Sequence, residues 1–206
     1  EISACLVGSE MCIRDRFDSY KQGGGLVSIN IIWEDPFDDS LAGGMVYRKF
    51  LYLGQLYGVG FQEIPTQADL EAKDIRLDEA FPHFRFPHNN GVWAVLFDTI
   101  DPVTDSPLGF KHVRYDGLAG GRVLQNVASI IYDHYNICQA GAYVFSAAED
   151  REHERDTDLS VIYSRTLGLQ GHPRSRLFSR LNGWNAYTDI DAGGRSYVVT
   201  TQSYQP

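Results

Sequence analysis

The stretch from Leu108 to Thr201 constrains the fold most, because it reads as a strand, a helix entered through glycine, a buried strand, a short capped helix and a final hairpin. Leu108 to Tyr115 supplies the first strand. Gly120-Gly121 then opens a helix whose apolar residues Val123, Leu124, Val127, Ile130, Ile131 and Tyr135 recur at three-and-four spacing, so one face is set to pack on a sheet. Ala142 to Phe145 is a continuous apolar run, the pattern of a strand covered on both faces. A second helix starts near Asp156, with Asp156, Thr157 and Asp158 as candidate N-caps. Leu159, Ile162, Tyr163 and Leu167 form its packing stripe, and Gly168 is placed for a left-handed C-terminal turn. Trp184 to Thr188 and Ser196 to Thr201 flank Asp191-Ala192-Gly193-Gly194, which can turn tightly.

The preceding residues favour strands. Leu26 to Trp33 is rich in β-branched residues, and Met45 to Leu53 and Leu56 to Ile64 flank Gly54-Gln55 with alternate apolar side chains, the pattern of a β-hairpin. A helix over Tyr47 to Tyr57 also satisfies three-and-four spacing, but the glycines at 54, 58 and 60 each cost it about 1 kcal/mol. Gln67 to Ala80 has a helix-compatible composition, Phe81 to Asn90 holds two prolines and belongs to an irregular connection, and Gly91 to Phe97 is a further strand. Asp101-Pro102 and Ser106-Pro107 lie outside the sheet, since proline cannot donate to a ladder. Residues 1–16 are set apart: Leu6 to Arg16 resembles the translation of a sequencing-library adapter, a segment that carries no information about a fold. Residues 17–206 are expected to form a single α+β domain, long enough for a sizeable core.

Charge and cysteine content exclude some chemistry. The chain carries 18 basic and 27 acidic residues, net −9, and residues 17–206 keep a net −8, which makes sequence-wide nucleic-acid affinity unlikely. Beyond residue 16 the one cysteine is Cys138, so no disulfide framework or cysteine-rich zinc site can form there. Between a helix and an apolar strand, Cys138 reads as a small buried residue rather than a nucleophile. His83 and His88 are five apart in a proline-containing loop, and His112, His134, His153 and His172 are scattered, so no metal motif is recognisable. Ser146 is not in a Gly-x-Ser-x-Gly elbow. No run is long and apolar enough to cross a membrane, and a cytoplasmic protein is the simplest expectation.

Arg114-Tyr115-Asp116-Gly117-Leu118-Ala119 sits at the strand-to-helix junction, and Tyr163 precedes Leu167-Gly168-Leu169 in the second helix. On these residues, Gly91 to Thr201 resembles the core of the GNAT acyltransferase superfamily. The resemblance implies that Arg114, Gly117 and Ala119, with Gly120 and Gly121, hold the pyrophosphate of acetyl-CoA or another acyl-CoA at a helix N-terminus, where unpaired amides and the helix dipole favour an anion. It also implies that Tyr163 protonates the departing thiolate. The chain departs from the family pattern where Val113 runs directly into Arg114 and where leucine replaces phenylalanine at position 169.

Glu149 to Asp158 contains six acids and two arginines, so this segment could attract an amine substrate, with Glu149 or Asp150 taking its proton. Arg174, Arg176 and Arg180 lie in an acid-free segment, the last two on one expected helix face, and could meet the coenzyme's adenosine phosphate or an RNA backbone. A looser likeness to small bacteriophage proteins rests on Gly120-Gly121, Phe145-Ser146-Ala147 and Tyr163 and implies no activity. The expectation is an α+β fold with a mostly antiparallel twisted sheet and two main C-terminal helices, transferring an acyl group to an amine. The alternative is a non-catalytic module that binds a protein partner.

Overall fold

The computed structural model describes residues 30–32, 45–72, 84–87, 90–108, 117–148 and 158–206; for 30–32, 45–47, 117–120, 180 and 192 the description is of backbone alone. Among the described residues, seven strands form one sheet: β1 (Asn30–Ile32), β2 (Met45–Tyr52), β3 (Gln55–Ile64), β4 (Val92–Ile100), β5 (Ala142–Ser146), β6 (Asn185–Thr188) and β7 (Ser196–Thr200). Their spatial order is β1-β2-β3-β4-β5-β7-β6. Every neighbouring pair is antiparallel except β4 and β5, which run parallel. Among the described residues, three α-helices accompany the sheet: α1 (Gln67–Glu71), α2 (Gly117–Cys138) and α3 (Leu159–Leu167).

The β2–β3 hairpin closes on Leu53-Gly54, with φ of 49° and 79°, so Tyr52 pairs with Gln55. Two consecutive left-handed residues make the tight turn whose twist matches its strands. The turn is thus one residue earlier than the expected Gly54-Gln55, because a leucine gives no signal of a left-handed backbone. Phe50 stacks on Tyr57 at 5.0 Å between centroids, and Tyr57 on Phe97 at 5.8 Å, so aromatic rings bridge three adjacent strands on one face.

That face carries α2. Val123, Val127, Ile130 and Tyr135 are buried in one cluster with Phe50, Tyr57, Val59 and Phe61. The helix starts at Gly117, three residues before the expected Gly120-Gly121. On the other face, Val92, Ala94, Ala142, Val144 and Val198 pack with Ile64 and Leu70. β5 therefore places Tyr143 in one cluster and Ala142 and Val144 in the other, as its unbroken apolar run predicts.

Helix α1 ends at Glu71, well short of the expected Ala80; residues 73–80 lie outside the described set. Of the strand expected over Leu108 to Tyr115, Leu108 is outside regular structure, Pro107 makes a single bridge to Ile100, and residues 109–115 are outside the described set. The segment with Arg174, Arg176 and Arg180 holds a 3-10 turn at Phe178–Arg180 instead of an α-helix, so Arg176 and Arg180 do not share an α-helical face.

Candidate functional site

β4 and β5 are pinned together at their first residues and separate toward their ends. The Gly141 amide donates to the carbonyls of Asn90 and Gly91 at 2.5 and 3.0 Å, and the parallel register covers Val92–Ala94 against Ala142–Val144. Beyond it, β4 follows β3 through nine residue pairs, while β5 follows β7 through five. Each strand stays with its antiparallel neighbour, and a cleft of about 630 Å³ opens where the two diverge.

Side-chain alternation gives the cleft two unlike sides. Leu96 and Asp98, opposite Gly60 and Gly58 on β3, belong to one face of the sheet together with Ser146. Val95, Phe97, Tyr143 and Phe145 belong to the other, beneath Leu124, Val127, Ala128 and Ile131 of α2. Gly58 and Gly60 bring no side chains to that face, and Asp98 is the single charged residue among the described lining residues.

Tyr163 lines the cleft from α3. Asp158 starts that helix by accepting from the Ser160 amide at 2.7 Å, and Gly168 ends it with φ +73°, as the sequence predicts. A Cβ on Gly168 would come within 2.7 Å of Arg174 Cα, so both backbone angle and space require glycine. The Tyr197 hydroxyl donates to the Ser160 carbonyl at 2.8 Å and lies 3.2 Å from the buried Ser164 Oγ. These bonds fix α3 across β7. Tyr163, beside Ser164, is consequently held edge-on to both Phe145 and Tyr197 at 5.7 Å.

Arg195 braces the cleft's far end. Its guanidinium donates to the carbonyls of Ala147 and Ala148 at 2.8 and 2.9 Å and to both Asp158 oxygens at 3.1 and 2.7 Å. Arg195 holds the Asp158 carboxyl down at about 2, helped by the Ser160 bond and opposed by burial.

Of the other residues singled out in the sequence, Gly117, Ala119 and Gly120 lie in the first turn of α2, where amide donors lack intrahelical partners. Gly121 follows, exposed, with nothing within 4 Å of where a Cβ would stand. Arg122 is exposed next to it. Arg114, Glu149 and Asp150 are outside the described residues, although Ala148, immediately before Glu149, lines the cleft. His83, His88, His112 and His153 are also outside them. Arg174 is committed to the Trp184 carbonyl at 3.0 Å and sits 4.9 Å above the Phe178 ring.

Cys138 packs half-buried, its Sγ 3.2 Å from His134 Nδ1, and burial pushes its thiol up. Burial chiefly, with Arg48 second, pulls His134 down to about 4, so the pair holds no thiolate and no imidazolium near neutrality. Sequence reasoning missed Asp98, whose place on the cleft wall follows from where β4 parts from β5. Among the described residues, no cluster of three or more His, Cys, Asp or Glu could hold a metal ion, and no helix is long and apolar enough to cross a membrane.

No family model matches the chain, and neither a curated protein nor a solved structure matches it.

Proposed function

We propose that the protein is a GNAT-like acyltransferase that moves an acyl group from an acyl-CoA to an amine. The observation that carries this reading is the cleft between β4 and β5, with Tyr163 on its wall and the glycine-rich first turn of α2 following β4 in the chain. A slot between diverging strands suits an extended thioester arm, and first-turn amides suit its pyrophosphate. Arg114 and Arg122 are the cations nearest those glycines in sequence.

In the reaction, the amine nitrogen bonds to the acyl carbon, the carbon–sulfur bond breaks, and the electron pair leaves on sulfur. Tyr163 supplies a proton to that sulfur from its hydroxyl. Asp98 on the cleft wall, or Glu149, next in sequence to the lining residue Ala148, takes the proton lost by the amine, with a water between if needed. Tyr163→Phe is expected to lower amine turnover about 10²-fold or more while leaving coenzyme binding nearly unchanged. Asp98→Asn and Glu149→Gln, assayed separately, identify the base by a loss of turnover that is largest where the carboxylate is ionised and shrinks as pH falls and the parent's base is protonated. Steady-state assays against a panel of primary amines read all three, and full turnover in Tyr163→Phe would remove the proposed acid.

A non-catalytic module that binds a protein partner is the second reading. It is favoured by one observation: the described residues lining the cleft include no lysine or arginine. This reading predicts a defined pulldown partner and no heat on coenzyme addition, and tight coenzyme binding with amine turnover would rule it out.

A further inference from the structure

We propose that the cleft selects a medium-chain aliphatic acyl group over acetyl. This deepens the acyl-transfer reading and rests on it. Leu124, Val127 and Ile131 of α2, Phe145 of β5, and Phe178 and Trp184 enclose the helix-bearing side of the cleft with carbon surface. Asp98, the single charged residue among the described lining residues, belongs to the opposite face of the sheet.

These walls are braced from behind. The Arg174 guanidinium donates to the Trp184 carbonyl at 3.0 Å and lies 4.9 Å over the Phe178 ring, so a single cation fixes two wall residues. Phe178 and Trp184 are themselves only 3% and 2% exposed, so both rings are packed into the core and held in place. Tyr143 extends the floor as a stacked neighbour of Trp184 at 5.8 Å, with its hydroxyl turned to His134 Nδ1 at 2.9 Å and hence satisfied away from the lobe.

With the thioester arm in the slot, an acetyl group brings only one methyl to the helix-bearing lobe. A longer chain fills it, and each methylene taken from water favours binding about fourfold. A polar or charged acyl group would lose its water there without gaining partners.

The test is isothermal titration of CoA, acetyl-CoA, hexanoyl-CoA and octanoyl-CoA into the chain, with octanoate alone as a probe that lacks the coenzyme. Octanoyl-CoA is expected to bind at least tenfold tighter than acetyl-CoA. Ala128→Phe, which projects a ring from α2 into the lobe, is expected to collapse that ratio toward one. Leu124→Trp, on the same wall, serves where thermal melting shows that Ala128→Phe does not fold.

Equal affinity for the acetyl and octanoyl thioesters overturns the chain preference and leaves the coenzyme reading intact. Binding of octanoate without any thioester binding, lost in the variant, overturns the coenzyme reading and supports the apolar lobe. Failure of every probe overturns both.

Discussion

At His134 the imidazole stacks on Phe61 at 4.1 Å between centroids, meets Trp93 edge-on at 4.6 Å, and is 2% exposed. Burial pushes the Tyr143 hydroxyl up and keeps it protonated, and it shares a 2.9 Å hydrogen bond with His134 Nδ1, donating or accepting according to the imidazole tautomer. The histidine is neutral because of its surroundings. Its folded value of about 4 lies below the ordinary 6.5, so the unfolded chain binds the proton more tightly between those values, and stability falls as pH drops through that window. The loss is on the order of 3 kcal/mol, at about 1.4 kcal/mol per pH unit. His134→Phe keeps a ring on Phe61 and removes the titration, so its stability should depend less on pH between 6.5 and 4. Urea melts across that range check this, and an unchanged slope would place the pH dependence elsewhere. The sequence marks His134 only as a scattered histidine, because the rings that neutralise it come from β3, β4 and β5.

Among the elements, α3 was the most legible: its stripe, its Asp158 cap and its Gly168 terminus are local patterns that need no knowledge of the rest of the chain. What fixes it across the sheet was not legible. Tyr197 and Arg195, more than thirty residues later, tie it down through Ser160, Ser164 and Asp158. Arg195→Met should remove the bonds to Ala147, Ala148 and Asp158 together and lower stability by about 1–2 kcal/mol, a modest figure because the ion pair is partly exposed. Asp158 is held below its unfolded value, so the pair's contribution is present above about pH 4 and is lost as pH falls toward about 2. The difference between the two proteins in thermal melts should therefore be largest at neutral pH and narrow in acid, where only the carbonyl bonds remain. A difference that does not narrow below pH 2 would assign the whole effect of Arg195 to its carbonyl bonds. The arginine-rich segment shows the opposite case: residue spacing suggested a helix, but Arg174 is drawn to the Trp184 carbonyl and the chain makes only a 3-10 turn.

Across the whole molecule, β4, α2, β5, α3 and the β6–β7 hairpin were legible from their hydrophobic periods, whereas the strand expected over Leu108 to Tyr115 has Leu108 outside regular structure and its remainder outside the described residues. The parallel pairing that opens the cleft was not legible, since it depends on two strands more than forty residues apart keeping other neighbours. The cleft thus comes from topology, while its walls come from the same apolar stripes that mark α2 and β5 in the sequence. Isothermal titration of acetyl-CoA, with dephospho-CoA and inorganic pyrophosphate as controls for simple anion attraction, tests directly whether this cleft is a coenzyme site. Saturable one-to-one binding in the micromolar range is predicted, about −8 kcal/mol at a dissociation constant of 1 μM, and weaker without the 3′-phosphate. No heat and no thermal stabilisation up to millimolar acetyl-CoA, and none with octanoyl-CoA, would contradict acyl transfer and leave the protein-binding module as the function.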